Sequence, residues 1–346
     1  MATPSLSDDT CREAVIAVAQ FGGVNPAARE LGIPRSTLYH RLKMAEDRGI
    51  GAISEEKIVE YPEFVTQGDD EEPIEELLYR REKSFERKLK AHAARQWFEI
   101  KVNETKPYAI LAFGDPHLDD DGCAIPILRK HLDIASREGV YSINIGDTHN
   151  NWVGRLERLY AHQETSKNTG KRLVEWFMFD SGAKWLCWIL GNHDAWNDGV
   201  DFHMRLAKKR IPVLDWKAQF KLVHPDGTEL RVDASHGRKG SSQWNNLHAT
   251  LKAAKLGEMA DIYFTGHTHN YGLEHLEVAE RRHSCWLAQL RGYKFMDTHA
   301  LYGNFAEHQL GSAIMAVIDP RPDARTKVHC FEDVEFGHQV LEAMRK

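Results

Sequence analysis

The 346-residue sequence has no apolar run close to the roughly 20 residues that a membrane-spanning helix needs. It has no surplus of positive charge either. Its 45 Lys and Arg stand against 51 Asp and Glu, for a net charge of -6. A chain-wide basic field that would draw it onto nucleic acid is thereby excluded, and any such contact must be local. The five cysteines (Cys11, Cys123, Cys187, Cys285 and Cys330) are scattered, odd in number and without a close pair. That excludes a disulfide framework or a zinc knuckle and leaves reduced, mostly buried small hydrophobes. There is no internal repeat and no low-complexity tract. Met1 to Asp9 is polar and acidic and lacks the apolar stretch of a signal peptide. These absences lead us to expect a cytoplasmic protein with no membrane partner. What remains is ordinary for a globular chain, 42% hydrophobic and 28% charged, with length for one large domain and something smaller.

The first fifty residues read as helices. Ala14, Val15, Val18 and Ala19 recur at helical spacing between Thr10 and Phe21, and Gly22-Gly23 ends the run. Asn25 can cap a second helix with Pro26 at its first position. Gly32 supplies a tight turn, and Pro34 opens a third helix. Helix, short helix, glycine turn, helix is a helix-turn-helix pattern. The stretch from Asn25 to Tyr39 (NPAARELGIPRSTLY) resembles the DNA-binding unit of the bacterial Fis-type regulators. The resemblance implies that Arg35, Ser36, Thr37, Tyr39, His40 and Arg41 face a DNA major groove. Met1 to Ile50 is nonetheless neutral, six basic against six acidic residues, so docking to a protein partner is the other use of such a unit. Ser54 to Glu76 carries ten acidic residues and one lysine and reads as a solvated linker. Ile74 to Gln96 reads as a basic helix with a ragged apolar stripe, a connector or the arm of a homodimer. The domains expected are therefore 1–50, a linker and connector over 51–106, and a catalytic domain over 107–346.

Beyond Tyr108 the periodicity changes. Ala109 to Phe113, Tyr141 to Ile145, Trp185 to Leu190 and Ile262 to Thr265 are short apolar runs, the first three with helical stretches between them. That alternation predicts βαβ units with loops at the strands' carboxyl ends. Pro225-Asp226-Gly227 marks a hairpin between Phe220–Val223 and Glu229–Asp233. Later strands near 273–278, 284–290 and 313–318 suggest a second sheet. Five polar blocks sit at the expected strand ends: Gly114-Asp115-Pro116-His117, Gly146-Asp147-Thr148-His149-Asn150, Gly191-Asn192-His193-Asp194, Ser235-His236-Gly237 and Gly266-His267-Thr268-His269. Each alone is weak. Gly-Asp after a strand is common turn chemistry, and an isolated His-x-His is usually surface.

Together and in this order, the blocks resemble those of the calcineurin-like metallophosphoesterase superfamily, over roughly Ile110 to Asn270. The resemblance implies an α/β (α+β) fold, a four-layer αββα sandwich carrying a small all-α helix-turn-helix domain at its N-terminus. It implies that Asp115, His117 and His269 hold one metal, that Asn192, His236 and His267 hold another, and that Asp147 bridges the two. A shared carboxylate reduces the repulsion between adjacent dications. Neutral imidazoles suit a pair of transition metals, manganese first, with iron, zinc or nickel as alternatives. By the same resemblance His193 is no ligand but points at the leaving oxygen. Asp194 either orients His193 or caps a helix.

The second block departs from the commonest family pattern. Asn150 or Asn151 can bond a phosphate oxygen, Arg155 can reach an anion, and Arg238 follows a ligand histidine directly. His149 is a satisfied loop histidine or a further ligand. No Arg-Gly follows the block as in the protein Ser/Thr phosphatases, which disfavours a phosphoprotein substrate. The reading is a phosphodiesterase, foremost a DNA-directed nuclease. The alternative is an esterase for small phosphate esters with a regulatory N-terminal unit. A regulator-like unit joined to a compact esterase suggests a phage or prophage gene.

Overall fold

The computed structural model describes residues 6–51, 72–207, 210–295 and 312–346, and the chain divides into two units, Met1–Leu77 and Leu78–Lys346. In the first, α1 (Asp8–Phe21) starts where the Ser7 hydroxyl accepts from the Thr10 amide, and stops at Gly22, which takes the left-handed conformation. The second helix, α2 (Val24–Glu30), begins earlier than expected. Gly23 and not Asn25 precedes it, and Pro26 falls inside its first turn, where a missing N–H costs nothing. The third, α3 (Arg35–Asp47), follows Pro34. Ala14, Ala17, Ala27, Ala28 and Leu38 bury against one another and hold the three together. Of the residues expected to meet DNA, Arg35, Ser36, Tyr39 and His40 are exposed, and Thr37 and Arg41 are half-buried. The acidic linker lies outside the described residues up to 71. A basic helix follows it, α4 (Ile74–Arg95), with Tyr79, Phe85 and Leu89 exposed.

The second unit holds two six-stranded mixed sheets. Its strands are β1 (Phe98–Lys101), β2 (Tyr108–Phe113), β3 (Val140–Asn144), β4 (Trp185–Leu190), β5 (Val213–Asp215) and β6 (Lys217–Val223). They continue as β7 (Glu229–Ser235), β8 (Ile262–Thr265), β9 (Gly272–Val278), β10 (His283–Gln289), β11 (Ala313–Ile318) and β12 (Val328–Phe331). One sheet runs β12-β11-β2-β3-β4-β5, the other β1-β6-β7-β8-β10-β9. Within the first, β2, β3, β4 and β5 are parallel neighbours. Within the second, β7 and β8 are parallel, and β6 and β7 form the hairpin expected around Asp226-Gly227. The edge strand β1 precedes Tyr108 and pairs with β6.

Side chains alternate across the pleat, so each central strand serves two cores. From β2, Ile110 and Ala112 pack between the sheets with Ile143, Ile189, Phe220, Val232 and Phe264. Ala109, Leu111 and Phe113 point the other way. They meet Leu128 and Leu132 of α5 (Ile125–Ala135) and Val174 and Phe177 of α6 (Lys167–Phe179). On the far side, Ala254 of α9 (His248–Leu256) packs on Tyr263 and Leu287. Helices thus cover the outer faces of a two-sheet core. The segment from Trp152 to Phe179 is broken, a 3-10 turn over Gly154–His162 and then α6, whose first turn is capped by Ser166.

Candidate metal centre

All five polar blocks stand at carboxyl ends of parallel strands: Asp115 and His117 after β2, Asp147 after β3, Asn192 and His193 after β4, His236 after β7, and His267 and His269 after β8. One sheet therefore contributes four of the seven candidate ligands and the other three. Five of the seven candidate ligands, Asp115, His117, Asp147, His267 and His269, have positive φ between 44° and 72°. A left-handed residue other than glycine costs about 1–2 kcal/mol, and such strain gathers at functional sites.

The donor atoms converge. Asp115, His117 and His269 form one group, and Asp147, His236 and His267 a second, each with its ligand atoms within 4.8 Å of one another. His117 directs Nδ1 to Asn150 Oδ1 at 2.8 Å, and His236 directs Nδ1 to the Ile145 carbonyl at 3.0 Å. Those bonds commit each Nδ1 as a donor and leave Nε2 for a ligand. Around His236 Nε2 stand Asn192 Oδ1 at 3.1 Å, His267 Nδ1 at 3.1 Å and Asp147 Oδ2 at 3.2 Å. One ring nitrogen carries at most one hydrogen, so it cannot serve all three. Asp115 Oδ1 is wholly buried and without a hydrogen-bond partner. An orphaned carboxylate oxygen and several lone pairs facing inward are what a cation would satisfy. The residues present fit a divalent pair with mixed nitrogen and oxygen donors.

The ionisable groups of the centre shift one another strongly. Burial, with the Asp147 charge beside it, pushes the Asp115 carboxyl up to about 8, although His236 opposes the rise. Burial would lower His236, but the charge and hydrogen bond of Asp147 outweigh it and hold the ring at about 9. Burial alone would raise Asp147, yet His236 and His193 keep its carboxyl below the ordinary carboxylate range. His117 is held well below an ordinary histidine, chiefly by burial and then by Lys294 and the neighbouring rings.

His193 lies against this centre with Nε2 4.0 Å from Asp147 Oδ2. Its Nδ1 donates to the Asn150 carbonyl at 2.6 Å, and its backbone amide donates to Asp147 Oδ1. The carbonyl, not Asp194, orients the ring. Asp194 accepts from the Gly191 amide and the Thr148 amide and stands 3.3 Å from His149 Nδ1. It therefore ties the second block to the third and caps its own short helix, α7 (Asn192–Ala195).

Three expected substrate ligands are occupied elsewhere. Asn150 is buried, holding His117 by Oδ1 and donating Nδ2 to Asp120. Asn151 is buried and donates to the carbonyls of His193 and Trp196. Arg238 bonds Asp233, Thr265 and the Phe264 carbonyl, with only 8% of its side chain exposed. Asn150 and Arg238 give their side-chain bonds to the scaffold, whereas Asn151 gives only Nδ2 and its Oδ1 is buried without a hydrogen-bond partner. Arg155 alone of the four is exposed, on the 3-10 turn. Sequence reading missed a third buried group, His149, Asp194 and His203, the last from α8 (Gly199–Ala207). No local pattern marks His203, which reaches the group only through tertiary packing. His149 is thus buried with its Nδ1 beside Asp194, as a satisfied loop histidine would be, and it also belongs to this third group.

No protein-family model matches the chain, and no curated protein matches it. Among solved structures it is similar to one described as "GAP50 the anchor in the inner membrane complex of Plasmodium". Identity is 11%, coverage is 70% of this chain and 95% of that one, and the TM-score is 0.32. Among the described residues no helix is long and apolar enough to cross a membrane.

Proposed function

We propose that the protein is a dinuclear-metal-dependent phosphodiesterase of the calcineurin-like metallophosphoesterase superfamily, an αββα sandwich acting on DNA. The observation that carries this reading is the convergence of Asn192, His267 and Asp147 around His236 Nε2, beside the orphaned Asp115 oxygen. Asp115, His117 and His269 would hold one ion, Asn192, His236 and His267 the other, with Asp147 between them. When bound, such a pair supplies positive charge to a phosphate and makes an attacking water more acidic.

The chain's own residues do the rest. His193 holds Nε2 4.0 Å from Asp147 Oδ2, because Nδ1 is committed to the Asn150 carbonyl. There it can pass a proton to a departing alkoxide. Asn150 serves both imidazoles, His117 through its side chain and His193 through its backbone, so it sets the distance between ligand and acid. His267 is exposed and His269 half-buried, which leaves that side of the centre open to a phosphate. Manganese is the first metal to test, and iron, zinc or nickel, which the four imidazoles suit, are the alternatives.

The N-terminal helices support DNA as the substrate through one observation. Arg35, Ser36, Tyr39 and His40 form an exposed face on α3, opposite the buried Leu38. In the second reading the same unit docks a protein, and the substrate is a small ester; the even charge balance of Met1 to Ile50 favours it. A direct assay separates the two. The full chain with Mn2+ is offered bis-p-nitrophenyl phosphate, p-nitrophenyl phosphate, and linear and single-stranded DNA. We expect turnover of the diester and of DNA with little of the monoester. Monoester turnover alone would overturn the nuclease reading.

A further inference from the structure

Trp216 is the single residue between β5 and β6, and those strands belong to different sheets. The chain crosses from one sheet to the other at this position, and Trp216 makes the turn with φ 62°. A bulky side chain is a true outlier in that region, where glycine or asparagine is the usual occupant. Three hydrogen bonds lock the conformation. The Trp216 amide donates to the Leu190 carbonyl at 3.1 Å, and its own carbonyl accepts from the His236 amide at 2.9 Å and the Ser235 hydroxyl at 3.2 Å. The indole is consequently tied to a candidate ligand loop. Its ring centroid lies 5.1 Å from that of His236, edge-on, and 6.0 Å from that of His267. Yet the residue is 43% exposed.

A strained, exposed indole beside the centre is poorly explained by packing. The turn needs no aromatic ring, and the core lies elsewhere. Strain of this kind persists where the surroundings over-determine it, and it gathers at binding sites. An indole left partly exposed next to a candidate phosphate site is what a planar ring attached to that phosphate could cover.

We propose that Trp216 forms a stacking subsite for the nucleobase of a nucleotide whose phosphate sits at the metal centre. This rests on the phosphoesterase reading and deepens it, assigning nucleotides as the substrate class of that site. The subsite lies on the His236–His267 side of the centre. His193 is backed on its own side by Trp152 and Trp196, with ring centroids 5.2 and 4.2 Å away. Stacking is tolerant of base identity, so no strong sequence preference follows from it.

The experiment is calorimetric titration of the full chain, loaded with Mn2+, by inorganic phosphate, phenyl phosphate and thymidine 5′-monophosphate. Wild type and the variants Trp216→Phe and Trp216→Asn are compared; asparagine suits the left-handed backbone and so spares the fold. The ratio of nucleotide affinity to phosphate affinity should fall about tenfold or more in Trp216→Asn and recover in part in Trp216→Phe. An unchanged ratio with phosphate still bound would overturn the subsite and leave the phosphoesterase reading standing. Equal gains for phenyl phosphate and the nucleotide would replace the nucleobase by any aryl ester. Failure of every protein, wild type included, to bind phosphate would sink the underlying reading and the subsite with it.

Discussion

At the scale of single residues, side chains at the centre divide by what they touch. Asp147 belongs to the second ligand group and meets His236 and the His193 amide, so its charge is shared among several partners. Asp147→Asn should therefore lower both metal content and turnover, as elemental analysis and the diester assay would show; retained stoichiometric metal would argue against bridging. His193 differs. Its ring hangs from a carbonyl and reaches the centre only at 4.0 Å. His193→Ala should cut kcat about 10²–10⁴-fold while leaving metal content unchanged, the signature of a proton carrier and not a ligand. The candidate ligands were legible in the sequence because each sits in a short block after a strand. Asn150, Asn151 and Arg238, read in the sequence as phosphate contacts, make hydrogen bonds to the protein. Their polar ends are equally suited to bonding protein, and only packing decides which partner they reach.

At the scale of elements, close approach of loops matters as much as the side chains they bear. Gly191 ends β4 where Asp147 passes, and a Cβ there would run into the Asp147 carboxylate. Gly191→Ala should displace Asp147 and lower metal affinity while the melting transition stays cooperative; unchanged metal binding would show that the loop yields. The paired strands β7 and β8 are clamped by Arg238, which spans Asp233 and Thr265 just ahead of the two histidine loops. Burial would raise the Asp233 carboxyl, but Arg238 and Lys217 outweigh it and hold it below its ordinary 3.8. A depressed carboxyl stabilises the fold above that ordinary value and loses the contribution as pH falls through the depressed one. Asp233→Asn should cost about 3–5 kcal/mol at pH 7, since it leaves a buried guanidinium uncompensated. Urea unfolding should show the gap to wild type narrowing below pH 4, and a pH-independent gap would deny the pairing its role. Strand positions were readable from apolar runs bounded by glycine. The start of α2 was not, because Pro26 is tolerated anywhere in a first turn.

At the scale of the whole molecule, the charge balance of -6 leaves local surfaces to do any recruitment of DNA. Deleting Met1 to Gly51 should weaken DNA cleavage and spare turnover of a small diester, measured side by side; equal loss of both would refute tethering by the N-terminal helices. The sequence by itself determined where nine of the twelve described strands run, β1, β5 and β12 excepted, which loops carry the clustered Asp, Asn and His, and that the chain has no close cysteine pair and no long apolar run. These are local properties, set by periodicity and by the residue types beside each glycine. Only the tertiary structure decided which donors share a space, that the Asn150 carbonyl and not Asp194 steers His193, and that His203 and Trp216 belong near the centre. Those outcomes depend on two sheets packing face to face and bringing loops more than a hundred residues apart within hydrogen-bonding distance, as Asp115 and the His267 amide are. No periodicity within either segment encodes that distance.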